Sequence, residues 1–305
     1  MAEPAAPCAY LIDASMYVFR AWHAMPDVFF DVDGAPVNAV HGFARFLLDL
    51  LERTHAAYAA AAFDIAHDTS FRNTLYPAYK ANRPPAPPEL VHQFECCRKL
   101  AAAFGLTVLA DATYEADDLI GSVQAAVHRH AWASVIVSAD KDFGQLLGPN
   151  DEQWDYARDR RWDASALPGR LGVEARQVVD YLALMGDASD NIPGVPGVGP
   201  KGAAALLAHF GDLDTLLARA DEVAFLHLRG AKSIAAKLRE YADQARLSQR
   251  LARIALDAPV PQSPAALARR GPDPKVLDAL FDQLRMGPVT RERARKILCT
   301  TVPAA

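Results

Sequence analysis

Short apolar runs alternate with amphipathic stretches along the first half of the chain. Cys8–Asp13 is apolar and ends in an acid, the pattern of a buried strand. Val37, Val40, Phe43, Leu47, Leu50 and Leu51 recur at helical spacing, which predicts a long amphipathic helix over 37–54. Ala57–Phe63 is alanine-rich and ambiguous in composition. Its length and its ending at Asp64 favour a strand. Helical periodicity resumes over Glu89–Phe104 and stops at Gly105, a suitable C-cap. Leu106–Ala110 and Ala133–Val137 read as strands, Glu115–His130 and Lys141–Leu147 as helices.

Strands alternating with helices predict a parallel α/β sheet covered on both faces. From about Val173 the pattern is nearly all helical, interrupted by a Gly/Pro-rich hairpin over 192–202. A smaller all-α domain is therefore expected over 173–258, after an α/β domain over 1–172. Residues 259–274 read as a linker, Val276–Leu298 as a last amphipathic helical stretch, and residues 1–8 as loose. The role of 259–305 is unassigned.

Composition narrows the classes. Of 305 residues, 51% are hydrophobic and 23% charged, which suits a globular core and excludes global disorder. The four cysteines, Cys8, Cys96, Cys97 and Cys299, form no C-x-x-C pair, so no zinc knuckle or redox motif is present. A reducing cytoplasm is the expected compartment. No basic leader is visible, and the apolar run Ala56–Phe63 is too short to span a bilayer. The net charge of −5 by itself argues against a nucleic-acid partner.

The placement of the acids changes that picture. Asp13 and Asp64 close strands, Glu115, Asp117 and Asp118 open a helix, and Asp140 and Asp142 follow another strand. Asp187 and Asp190 open the helical domain. Each alone is an ordinary turn or cap residue. Together, several fall at the C-terminal strand edge, where open parallel sheets bind ligands. Two like charges ~4 Å apart repel by about 4 kcal/mol at an effective dielectric of 20, so converging acids call for cations. Oxygen-only donors suit Mg²⁺ or Mn²⁺, and paired ions are a recurring device for phosphodiester cleavage. Setting those nine aside from the 37 acids leaves 28 against 32 bases, a mildly basic body.

Two further stretches point to nucleic acid. Gly197-Val198-Gly199-Pro200-Lys201-Gly202 lacks the Lys-[Ser/Thr] of a phosphate-binding P-loop. Pro200 suits a first helical turn, and the amides of Gly199, Lys201 and Gly202 are then open to a phosphate. An ordinary helix–helix turn is the plainer alternative. Arg72, Tyr76, Tyr79, Lys80 and Arg83 interleave cations with aromatics, a pattern that suits single strands or a solvated loop. Lys80 and Arg83 could also offset charge on a scissile phosphate.

Seven segments occur in a fixed order: Leu11-Ile12-Asp13-Ala14-Ser15, Ala62-Phe63-Asp64, Ser70-Phe71-Arg72, Tyr79-Lys80-Ala81-Asn82-Arg83, Tyr114-Glu115-Ala116-Asp117-Asp118, Ala139-Asp140-Lys141-Asp142 and Gly186-Asp187-Ala188-Ser189-Asp190-Asn191-Ile192-Pro193-Gly194. Over about 8–258 the chain resembles the 5′–3′ exonuclease domain of bacterial DNA polymerase I and the flap endonuclease family. The resemblance implies a PIN-like nuclease core with a helix-hairpin-helix domain, in a stand-alone member.

It implies Asp13, Asp64, Glu115 and Asp117, with Asp118 close by, at a first metal. Asp140, Asp142 and Asp190, with Asp187 near, would hold a second. Arg72, Tyr79, Lys80 and Arg83 would belong to a helical arch over about 66–100 that passes a 5′ strand, with Lys80 and Arg83 catalytic. Gly197–Gly202 would anchor duplex DNA. A K⁺ would sit on the carbonyls of Leu184, Met185, Pro193, Val195 and Val198. One departure is Ala14, where the family usually has Gly. The expected substrate is a 5′ end, flap or nick in DNA or an RNA–DNA hybrid, in the cytoplasm near the nucleoid, with no membrane partner. The alternatives are a PIN-type ribonuclease and a non-catalytic branched-DNA-binding protein.

Overall fold

The computed structural model describes residues 7–65, 69–271 and 274–299. In chain order the strands are β1 (Cys8–Asp13), β2 (Ala59–Asp64), β3 (Thr107–Asp111), β4 (Ala133–Val137), β5 (Glu152–Asp155) and β6 (Arg160–Trp162). The helices are α1 (Ala14–Ala24), α2 (Asn38–Thr54), α3 (Phe71–Leu75), α4 (Pro88–Ala103), α5 (Ala116–His128), α6 (Leu167–Leu171) and α7 (Val178–Met185). They continue with α8 (Pro200–Phe210), α9 (Leu213–Ala218), α10 (Ala231–Glu240), α11 (Ala242–Ala252), α12 (Pro274–Gln283) and α13 (Pro288–Cys299). Residues 1–6, expected to be loose, and 66–68, at the start of the expected arch, lie outside the described residues.

The chain folds as two compact units. The first comprises residues 1–67, 85–138 and 255–305; the second comprises 68–84 and 139–254. In the first unit the strand order is β3-β2-β1-β4, all parallel. The predicted α/β pattern is thus present, and α5 packs against all four strands. Five of six β2 residues are buried, which explains its continuous apolar run. Helix α2 buries the predicted stripe of Val40, Phe43, Leu47, Leu50 and Leu51 and stops at His55, in the left-handed region.

Proline places α4. Pro87 is its N-cap and Pro88 its first residue, where a missing N–H costs nothing. The arch segment is not one helix. It consists of the single-turn α3, turns over 77–82, an extended stretch and then α4. The last amphipathic stretch is likewise two helices, α12 and α13, broken where Arg285 takes a positive φ.

The second unit has its own apolar core, in which Tyr181, Leu182, Leu184, Leu206, Leu207, Leu216 and Leu238 are buried. Strands β5 and β6 form a short antiparallel hairpin, turned at Asp159 with φ 50°. The sequence reading did not contain it. Strands of four and three residues are too short to show a period.

Between α7 and α8 the backbone folds tightly on itself. Asp187 and Ile192 exchange both backbone hydrogen bonds, at 2.9 and 2.8 Å. Gly194 has φ +62°, and a β-carbon there would stand 2.4 Å from the Gly186 nitrogen. Gly194→Ala is expected to destabilise the second unit by about 2–4 kcal/mol, from left-handed strain plus a backbone clash. A thermal melt of the variant checks this; an unchanged midpoint contradicts the close approach.

Candidate active site

The carboxylates form two sets, one in each unit. In the first, three of the predicted acids end a strand or begin a helix. Asp13 closes β1 and caps α1; one oxygen accepts from the Met16 amide at 3.1 Å and the other from the Ser138 hydroxyl at 2.8 Å. Asp64 closes β2. Its Oδ1 accepts from the Ala116 amide at 2.8 Å, and its own amide donates to Ser15 Oγ at 2.7 Å. Asp64 therefore fixes the N-terminus of α5 to the end of β2, and the helix dipole favours its negative charge. Glu115 is the buried N-cap of α5 and Asp117 lies in its first turn.

Asp118 has a structural role of its own. It is fully buried, and its two oxygens accept from the amides of Glu115 at 3.1 Å and Ala255 at 2.8 Å. Its role is the reciprocal capping box that presents Glu115.

In the second unit Asp140 caps a 3₁₀ turn and accepts from the Asp142 amide at 3.0 Å. Lys141 lies between them in sequence. Its ammonium is 2.5 Å from Asp187 Oδ2 and 3.1 Å from Asp142 Oδ1. Burial lowers the lysine's proton affinity, but Asp142, Asp187 and Asp140 outweigh it and hold it well above its ordinary range. Burial would raise the Asp187 carboxyl, yet hydrogen bonds from Lys141 and Ser189 bring it below its usual value. Asp142 goes the other way. Burial, then Asp140, push it up to about 7 against the pull of Lys141. Its Oδ1 is buried and faces the Lys141 ammonium.

The residues of the aromatic–basic bridge divide into two groups. Lys80 and Arg83 both face Asp190. The Lys80 ammonium stands 3.8 Å from Oδ2, and Arg83 pairs with Oδ1. Arg83 also donates to the Ser189 carbonyl at 3.1 Å, Asn82 to Ala188 at 2.8 Å, and Asn191 to Ala78 at 2.6 Å. The bridge is thereby stitched to the loop carrying Asp187 and Asp190.

Arg72 and Tyr79 are corrections. Arg72 is 2% exposed, and its guanidinium donates to the carbonyls of Leu251 and Arg253 at 2.8 and 2.9 Å. Tyr79 is 3% exposed, belongs to the helical core, and donates its hydroxyl to Asp190 at 3.2 Å. Neither presents a surface on which a base could stack.

Pro200 opens α8, with Gly199 as N-cap and no side chain capping it. The first helical bond is Ala203 N–H to the Gly199 carbonyl, so the first-turn amides of Lys201 and Gly202 have no acceptor within the helix. Of the five carbonyls named for K⁺, those of Leu184 and Val195 each already accept one backbone hydrogen bond. Leu184 and Met185 end α7, while Pro193, Val195 and Val198 lie in the hairpin.

Among the described residues, no three His, Cys, Asp or Glu side chains are grouped closely enough to hold a metal. The donor chemistry nevertheless fits a hard divalent cation. The donors are carboxylate oxygens, and one of them, Asp142 Oδ1, is buried against the Lys141 ammonium. Sequence reading missed Lys141, Ser15 and Ser138 as partners of these acids. Their adjacency to Asp140, Ala14 and Ala139 was the only available signal.

A parallel sheet with acids at its strand ends, joined in one chain to a helix-hairpin-helix unit, defines a nuclease of resolvase-like fold. The chain belongs to the 5′–3′ exonuclease family: residues 8–172 match its N-terminal resolvase-like domain and residues 173–275 its C-terminal SAM fold. The match thus runs past the residue 258 at which the resemblance was drawn. DNA polymerase I of Rhizobium leguminosarum is 39% identical over 258 residues, which is 82% of this chain and 25% of that protein. For the Bacillus caldotenax polymerase the identity is 37%, over 90% of this chain and 31% of the relative. The chain spans about a quarter to a third of the length of these relatives. The T5 5′-exonuclease, solved with divalent zinc ions, shares the fold at a TM-score of 0.67 and 17% identity, over 96% of this chain and 99% of that one. The catalytic core of Rad2 bound to a DNA substrate does so at 0.62 and 16%, over 96% and 91%.

The Asp142 shift has a testable sign. A carboxyl raised from 3.8 to about 7 on folding costs stability as pH rises between those values. The cost is complete above pH 7 and absent below about pH 4. In chelator, Asp142→Asn should stabilise the folded chain at pH 8 by on the order of 4 kcal/mol, seen as a higher thermal midpoint, and progressively less towards pH 5. Equal midpoints at pH 8 would overturn the assignment.

Proposed function

We propose that this chain is a divalent-metal-dependent, structure-specific 5′ nuclease acting on DNA ends, flaps or nicks, including RNA–DNA hybrids. The single observation that carries this is the set of carboxylates at the ends of β1 and β2 and at the start of α5, in a family whose solved fold-mates include a metal-bound exonuclease.

Asp13, Asp64, Glu115 and Asp117 would hold one ion, and Asp140, Asp142 and Asp190, with Asp187 near, a second. Mg²⁺ or Mn²⁺ suits the oxygen donors. Bound there, two such ions would supply an activated water and positive charge for the leaving oxygen. The protein's own groups do the positioning. Ser138 and the Met16 amide orient Asp13, and the Ala116 amide orients Asp64. Lys141 keeps Asp187 ionised. Lys80 and Arg83, drawn to Asp190, could turn to a substrate phosphate.

The open amides at the start of α8, with Lys201, supply a sequence-independent grip on a duplex backbone. A K⁺ on the neighbouring carbonyls of Leu184, Met185, Pro193, Val195 and Val198 would add to that grip. Residues 69–100 would guide the 5′ strand, with Lys80 and Arg83 as its contacts. No described helix is long and apolar enough to cross a membrane, and Cys8, Cys96 and Cys97 are in no disulfide, which suits action on DNA in the cytoplasm.

The test is an end-labelled 5′-flap duplex with Mg²⁺, with and without chelator. Cleavage is expected only with the ion. Asp140→Asn should reduce cleavage to background while flap affinity holds within about twofold. Affinity should fall with added salt as phosphate contacts are screened. Binding without cleavage by the folded protein would leave a branched-DNA-binding role. Cleavage of RNA but not DNA flaps would mark a PIN-type ribonuclease.

A further inference from the structure

Lys141 does more than keep Asp187 ionised. Its ammonium meets an oxygen of each of two acids, Asp187 Oδ2 at 2.5 Å and Asp142 Oδ1 at 3.1 Å. All three residues belong to the second unit. One positive charge therefore stands between carboxylates that a divalent ion in that unit would draw on.

The acids are held in place by their own backbone. The Asp142 amide donates to Asp140, and its carbonyl accepts from Gln145. Gln145 is itself tied to the Ala252 carbonyl and the Ile254 amide. Gln153 holds the Asp140 carbonyl. Asp187 exchanges two backbone hydrogen bonds with Ile192, and its Oδ1 accepts from both the amide and the hydroxyl of Ser189. Its Oδ2 is left to the ammonium.

The lysine is the movable partner. It carries its charge on a flexible four-carbon stem, and its side chain is 37% exposed. It also lines a cavity of about 220 Å³ in the same unit. That is room for waters around a displaced ammonium. An ammonium and a hard divalent ion compete for the same kind of oxygen, and at contact distance their like charges repel. Fixed acids and a mobile cation make the two alternatives at these oxygens.

We propose that Lys141 is a resident counter-ion for the second ion's acids. It offsets the repulsion between Asp142 and Asp187 in the metal-free chain and gives way when a divalent ion arrives. As a positioning residue it keeps the acids apart and in place, at the cost of weaker loading of that ion. The proposal rests on the metal-dependent reading above and adds the reason why the second ion is the more weakly held.

The experiment titrates the full chain with Mn²⁺ alone, reading free ion by electron paramagnetic resonance. Lys141→Met keeps the length of the side chain without its charge. It is expected to bind the weaker Mn²⁺ at least tenfold more tightly. Lys141→Gln should shift the same way, and Lys141→Arg should stay within threefold of the unmodified chain. In an Asp142→Asn background Lys141→Met should gain less, since one of the acids it relieves is absent. Thermal melts supply the second readout. In chelator Lys141→Met should melt lower than the unmodified chain, and saturating Mn²⁺ should raise its midpoint by more. A lysine with a purely structural role would lower both midpoints alike and leave Mn²⁺ affinity unchanged. Equal or weaker Mn²⁺ binding by both neutral variants overturns the proposal and leaves the metal-dependent reading. So does a gain in Lys141→Arg as large as in Lys141→Met, or an undiminished gain beside Asp142→Asn. Absence of bound Mn²⁺ in the unmodified chain and in every variant sinks that reading and the proposal with it. Flap cleavage by the unmodified chain is scored separately.

Discussion

Crowded negative charge is the constraint to which the rest of this structure answers. A carboxylate removed from water must find donors or a counter-charge, or it gives up its ionisation. Each well-placed acid here meets that demand in a different way. Asp13 has an amide and a hydroxyl, and Asp64 the amide that begins α5. Asp187 has Lys141 and Ser189, and Asp190 has Tyr79, Lys80 and Arg83. Asp142 is the exception: burial, and Asp140 beside it, raise its proton affinity in spite of Lys141. The secondary structure is arranged around these obligations: β1 and β2 stop at their acids, and α1 and α5 start from them.

Much of this was legible because the same residues serve two purposes. An acid after an apolar run marks a strand end and a helix cap, so Asp13, Asp64 and Glu115 are visible both as punctuation and as chemistry. Helix α2 was legible because its apolar stripe is long enough to fix a period. What escaped was whatever depends on direction. Arg72 and Tyr79 look like surface residues beside Lys80 and Arg83, since composition does not say which way a side chain points. Arg72 turns inward because two carbonyls near the end of α11 need a donor. Asp118 has the same residue type as Asp117 and sits one position on, yet only Asp118 closes the capping box. Lys141 was overlooked for the opposite reason: among so many acids, a single intervening cation reads as incidental.

The bridge between Ser70 and Arg83 gains its shape from the second unit. Ser70 caps α3, Asn73 holds the Tyr79 carbonyl, and the Lys80 backbone takes a positive φ as its amide meets the Asp190 carbonyl. A stretch that reads as a polar loop is thus a fitted piece. Its order comes from side-chain amides and a buried guanidinium, not from helical or strand periodicity, and so no periodic pattern announces it.

The fastening of Lys80 and Arg83 to Asp190 bears on how any charge deletion in this segment is interpreted. Neutralising either cation removes a positive group and at the same time strengthens the field of the carboxylate it was facing. A one-residue substitution in sequence is there a two-site perturbation in electrostatics. The separate contributions of cation and acid emerge only from a cycle in which both are changed, singly and together.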